Sequence, residues 1–190
     1  MNRASFALAC IAVGASASVS RGNCPDFERP ATFDVLKYTG TWYEIKKDKL
    51  NLYELESACV TANYSPNEDG TIKVYNRDFK VTTGKYGDIT GKAVESTIDG
   101  PGSLVVSFFD EPSPDSHGNY NVLETDYETY AIFYDCAESR SFGMVVRNES
   151  YAILGRTETL PKDLLATLEA RTKEIIPSYD YDTYVVDTPQ

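Results

Sequence analysis

The chain has 190 residues, a formal net charge of −11 and 42% hydrophobic residues. That length suits one domain with a sizeable core. The acidity keeps such a protein soluble and excludes nucleic acid and anionic membrane faces as partners by repulsion, and no stretch after the N-terminus is apolar enough for a membrane span.

Met1 to Ser20 read as a secretory leader: Arg3, an apolar run from Phe6 to Val13, then the small residues Ala15-Ser16-Ala17 and Ser18-Val19-Ser20 that suit a signal peptidase. The expected product is a secreted, extracellular single domain covering residues 21–190. Cys10 leaves with the leader, so Cys24, Cys59 and Cys136 remain in an oxidising compartment. Three cysteines cannot all pair within one chain.

Period-two alternation broken by turn residues predicts strands over Gly40–Lys47, Ala58–Ser65, Thr71–Phe79, Tyr86–Ser96, Gly102–Phe109, Tyr120–Thr125, Tyr130–Cys136 and Ser150–Arg156. The run Pro66-Asn67-Glu68-Asp69-Gly70 favours a hairpin turn between the second and third. Pro161 then opens a helix to Ile176 whose apolar stripe is Leu164, Leu165, Leu168, Ile175 and Ile176, with Lys162, Glu169 and Lys173 on the wet side. A short edge strand is expected over Thr183–Asp187. The fold class is all-β: an eight-stranded antiparallel up-and-down barrel with one C-terminal α-helix packed outside.

Eight closed strands leave room for one small ligand, and alternation assigns the lining. If Trp42 faces in, Glu44 and Lys46 share its face. The other inward sets are Val60, Ala62 and Tyr64; Ile72, Val74, Asn76 and Asp78; Leu104, Val106 and Phe108; and, as aromatic and aliphatic walls, Val122, Tyr130, Ile132 and Tyr134. A buried Glu44 or Asp78 requires a donor, supplied by Lys46, Arg77 or a ligand group, or by neighbours at the barrel floor. The lining is mostly apolar with a few polar groups, which suits a flat conjugated or terpenoid guest. The segment Lys49 to Glu56 carries Leu50, Leu52, Tyr53 and Leu55, an apolar cluster that reads as a lid or an oligomer contact.

Gly40-Thr41-Trp42-Tyr43-Glu44, Thr125-Asp126-Tyr127 and Gly155-Arg156, in that order and spacing, resemble the lipocalin family. The stretch Cys59 to Val74, CVTANYSPNEDGTIKV, is similar to its apolipoprotein D and insect bilin-binding branch. The resemblance implies a structural stack of Arg156 on Trp42, a disulfide between Cys24 and Cys136, and a pocket lined by Tyr64 and Asn76. It also implies a second bridge from Cys59 to the C-terminal tail, but no cysteine follows Cys136. Cys59 is therefore read as a free thiol, as a bridge to a second copy making a homo-oligomer, or as a thioether to a bilin. The implied function is a carrier of a small hydrophobic ligand, with a linear tetrapyrrole of the biliverdin type chosen first. The alternatives are a carotenoid, a retinoid or steroid, a fatty acid, or a role mainly through protein contacts.

Asn148-Glu149-Ser150 and Asn63-Tyr64-Ser65 fit the N-glycosylation pattern on expected surfaces, the second weakened by Pro66. Catalytic residues, a catalytic cofactor and a metal site are not expected. The single histidine, His117, lies in a loop far from any nucleophilic cysteine, and no HExxH, paired CxxC or Gly-rich phosphate loop occurs.

Overall fold

A computed structural model describes residues 18–50, 56–141 and 143–190. Ten strands and three helices follow in the order β1 (Ser18–Arg21), α1 (Val35–Tyr38), β2 (Gly40–Asp48), β3 (Ser57–Pro66), β4 (Ile72–Lys80), β5 (Lys85–Glu95), β6 (Ser103–Ser107), β7 (Tyr120–Thr125), β8 (Tyr130–Ser141), β9 (Met144–Gly155), α2 (Lys162–Ile175), α3 (Tyr181–Tyr184) and β10 (Val185–Asp187). Strands β2 to β9 form an antiparallel meander, and β2 pairs again with β9, from Tyr43 opposite Gly155 to Lys47 opposite Ala152. The sheet thus closes into an eight-stranded barrel. β1 adds to β9 and β10 to β2.

Closure gives each strand an inner and an outer side, and apolar residues fill both. Inside, Trp42, Tyr38, Tyr64, Ile72, Val74, Val122 and Leu154 form one cluster. Outside, Ile132, Tyr134, Tyr151 and Ile153 of β8 and β9 pack with Leu168, Ile175 and Ile176 of the α2 region and with Tyr179 and Tyr181. The predicted helix stripe faces this layer, joined by Thr172, whose hydroxyl donates to the Leu168 carbonyl and meets the Tyr151 hydroxyl at 2.8 Å. The Cys24–Cys136 disulfide ties the N-terminal segment to β8.

Several elements differ from expectation for identifiable reasons. β9 begins at Met144 instead of Ser150, because its polar start is satisfied: Glu149, 2% exposed, accepts from Tyr134 Oη, Arg147 Nε and Ser20 Oγ, each at 2.8 Å. Ser18 to Ser20, assigned from sequence to the leader, form part of β1 opposite Arg147 to Glu149; cleavage after Ser20 would leave only Arg21 of that strand. The four-residue α1 was not expected; Asp34 caps it, accepting from the Leu36 and Lys37 amides at 3.0 and 3.2 Å.

Candidate ligand-binding site

The floor is built around Trp42, which is fully buried. Its indole N–H donates to the Tyr38 carbonyl at 2.8 Å, and the Tyr38 ring stacks on it at 4.9 Å between centroids. The Arg156 guanidinium lies 3.6 Å from the indole centroid, donating to the carbonyls of Tyr127, Thr41 and Lys37 at 2.9, 3.0 and 3.2 Å. Gly40 permits this: it has φ 99°, and a Cβ there would stand 3.1 Å from Arg156 Nη1. Asp126 braces the neighbouring turn, accepting from the amides of Glu128, Thr129 and Tyr130. Arg156 thus stacks on Trp42 as the family resemblance implied.

Above the floor stand three phenols. The Tyr38 and Tyr120 hydroxyls meet at 2.9 Å, and the Tyr120 ring stacks on Phe133 at 4.3 Å, with Tyr64 beside both tyrosines. Burial pushes all three phenols well above their ordinary value, so they are neutral hydroxyls at physiological pH.

Higher still, the lining is incomplete. Val74 and Val122 are buried, whereas Ala62, Asn76, Val106 and Phe108 are half-buried, although Ala62, Val106 and Phe108 pack on the inner cluster. Ile89 pairs with Asn76, and Gly91 with Val74, so Ile89 faces the same interior, yet it is 39% exposed. Small residues, Ala93, Ala131 and Ala152, are buried in the inner cluster, with Ala62 half-buried against it. The Asn76 side-chain amide oxygen, Oδ1, is buried with no hydrogen-bond partner among the described residues, an arrangement that costs free energy until a donor arrives.

The inward carboxylates are met by neighbouring protein groups, not by Lys46 or Arg77. A bulge between Glu44 and Lys46 turns Lys46 outward, where it pairs with Glu169 of α2 at 3.2 Å and Asp187 at 2.8 Å. Lys47 takes the inward place, 3.7 Å from Glu44, and Thr188 Oγ1 donates to Glu44 at 2.8 Å. Asp78 pairs with Lys80 at 2.6 Å and accepts from the Ser57 hydroxyl. Arg77 instead lies over the Tyr86 ring at 4.0 Å.

Tyr134 corrects the predicted lining. Val122 pairs with Phe133, so Phe133 faces in and Tyr134 faces out, edge-on to Phe27 and Tyr179, with its hydroxyl on Glu149. Tyr130 and Ile132 share that outward side. Both sides of β8 are apolar because α2 covers the outer one, so hydrophobicity carried no signal of direction. Tyr38, Tyr120, Phe133, Lys47, Ser57 and Thr188 were not foreseen as lining.

The remaining positions lie apart. Cys59 carries a free, half-buried thiol at a β3 bulge with φ 51°. Asn63 is on the outer side, its Nδ2 donating to Thr41 Oγ1 at 2.9 Å. Asn148 is half-buried within β9, between Val19 and Ala137, a paired strand position instead of the expected open surface. His117 is exposed, 2.8 Å from Asp99. Leu50 is exposed, while Leu52, Tyr53, Leu55 and Cys10 lie outside the described residues. No helix among the described residues is long and apolar enough to cross a membrane.

Residues 33–187 match the family model described as a lipocalin-like domain. The chain belongs to the lipocalin family. Apolipoprotein D of Rattus norvegicus is 36% identical over 169 residues, covering 88% of this chain and 82% of that protein. The Lazarillo protein of Schistocerca americana is 34% identical over 177 residues, covering 88% and 80%. Among solved structures, insecticyanin from the tobacco hornworm Manduca sexta superposes with a TM-score of 0.75 at 22% identity, over 92% of this chain and 89% of that one. At that identity the likeness concerns the fold.

Proposed function

We propose that this lipocalin is a secreted carrier, not an enzyme, and that its guest is a linear tetrapyrrole of the biliverdin type, seated above the Trp42 floor. The observation that carries the reading is the Asn76 side-chain oxygen Oδ1, buried with no donor among the described residues on a wall whose apolar members are still partly wet. Such a pocket gains from a guest that removes apolar area from water and also presents an N–H. The pyrrole and lactam N–H groups of a bilin do both. A carotenoid hydrocarbon or a fatty-acid tail supplies area alone. The family's implied bilin-binding branch agrees with this choice, and an oxidised Cys24–Cys136 pair agrees with secretion.

The test is a biliverdin titration of the ligand-free protein, read by visible absorption and by quenching of Trp42 fluorescence. Binding with a red-shifted visible band is expected. Asn76→Leu is expected to weaken biliverdin at least about tenfold while leaving a fatty-acid titration unchanged, since the lost acceptor concerns only a donor-bearing guest. Failure of biliverdin to bind, with tight binding of a colourless lipid, would move the assignment to the fatty-acid or steroid class.

A further inference from the structure

Between β2 and β3 the barrel wall is not a single ladder. Their pairing runs from Gly40 opposite Tyr64 to Tyr43 opposite Thr61 and stops there, and beyond that point both strands carry a bulge. The C-terminal segment fills the interval. Val185, Val186 and Asp187 pair with Asp48, Lys47 and Lys46, the Thr188 amide donates to the Ile45 carbonyl at 3.0 Å, and the Cys59 amide donates to the Pro189 carbonyl at 2.7 Å. The segment is thus a stave bonded to β2 on one edge and β3 on the other.

Its side chains alternate as a wall strand requires. Asp187 meets Lys46 outside. Thr188 therefore turns inward, where it is buried and donates to Glu44 Oε1 at 2.8 Å. Val186, two residues before it, faces the same way opposite Lys47 and is 38% exposed.

We propose that this stave is the gate of the barrel interior and that the hydrogen bond from Thr188 to Glu44 is its latch. The proposal rests on the carrier reading and adds to it a moving part. The flanking seams, β2 with β9 and β3 with β4, each carry a bulge, whereas seams farther round the barrel are unbroken: β8 and β9 pair from Tyr130–Gly155 to Ser141–Met144, and β4 and β5 from Ile72–Ala93 to Lys80–Lys85. The seam of β6 and β7 is short, but the Asn119 side chain brackets it, accepting from the Val106 amide at 2.8 Å and donating to its carbonyl at 2.9 Å. The stave has three ladder pairs, the Thr188 and Pro189 backbone bonds and a bond from Gln190 Nε2 to the Glu44 carbonyl at 2.5 Å, a short set that opens locally, well short of unfolding the barrel. When it opens, Lys47 stays near Glu44, so the carboxylate is not stranded.

Thr188→Val removes the latch and keeps the shape. Stopped-flow binding is measured with biliverdin and, independently, with 1-anilinonaphthalene-8-sulfonate, alongside amide hydrogen exchange, with Trp42 fluorescence confirming the fold. Association and dissociation are both expected to quicken by about tenfold, the scale of one hydrogen bond to a charged group. The Cys59 and Thr188 amides are expected to exchange faster by a similar factor, while the Ile153 and Leu154 amides keep their protection. Unchanged rates overturn the gate, and so does faster dissociation alone, which would make Thr188 a contact of the guest. If both probes bind but the Cys59 amide exchanges only in step with the whole barrel, the gate fails and the carrier reading stands. If neither probe binds, both fall.

Discussion

Around Trp42, the indole N–H, the Arg156 guanidinium and the Tyr38 hydroxyl each have a partner supplied by the protein itself; higher on the same inner wall, the Asn76 side-chain amide oxygen has none among the described residues, and Ile89 beside it still meets water. Different elements carry them: Tyr38 ends α1, Trp42 is on β2 and Arg156 follows β9, whereas Asn76 and Ile89 are on β4 and β5. The difference shows where this chain puts its stability and where it leaves interactions to be completed from outside. The floor is packed and satisfied, so changes there should act on folding; the upper wall is open, so changes there should act on binding.

The strongest way to break that division is Trp42→Ala. Deleting a fully buried indole, together with its contact to Arg156, is expected to cost about 3 to 5 kcal/mol of stability. Urea denaturation followed by far-UV circular dichroism measures it. A loss below about 1 kcal/mol would mean that the floor does not hold the barrel together.

Tyr134→Phe probes the outer layer and is expected to act less. It removes a hydrogen bond to buried Glu149, which keeps Arg147 as a donor, so about 2 kcal/mol is expected. Because the hydroxyl lies outside the barrel, biliverdin affinity should be unaltered. A clear fall in affinity at unchanged stability would place Tyr134 in the lining after all.

How far the residues themselves announced this arrangement depended on whether each had a polar neighbour to betray its direction. The strands, the helix stripe around Leu168 and Ile175 and the Trp42–Arg156 stack were legible, since turn residues and family motifs marked them. The direction of Tyr134 was not, because α2 makes the outer side of β8 as apolar as the inner one. Lys46 and Lys47 exchanged places through a bulge, which leaves no mark in an alternating pattern. Thr188 enters the lining through a tail pairing more than 140 residues away in sequence from Glu44, and no local pattern reports contacts of that separation.

Asp135 gives the smallest and most specific test. On β8, beside Tyr134, its carboxyl is pushed up to about 6, from an ordinary 3.8, by burial; the Cys136 amide and the charge of Arg29 oppose the shift without cancelling it. The folded protein therefore binds this proton more tightly than the unfolded chain between about pH 4 and 6. Stability from this group is present below that window and is lost as pH rises through it. In Asp135→Asn the side chain stays neutral, and the 3.3 Å contact from Asn121 Nδ2 can be kept by the amide oxygen. The variant is expected to gain on the natural protein by about 1 to 2 kcal/mol as pH rises from 4 to 7. Urea midpoints across that range decide it, and a constant difference between the two proteins would show that Asp135 titrates like an exposed carboxylate.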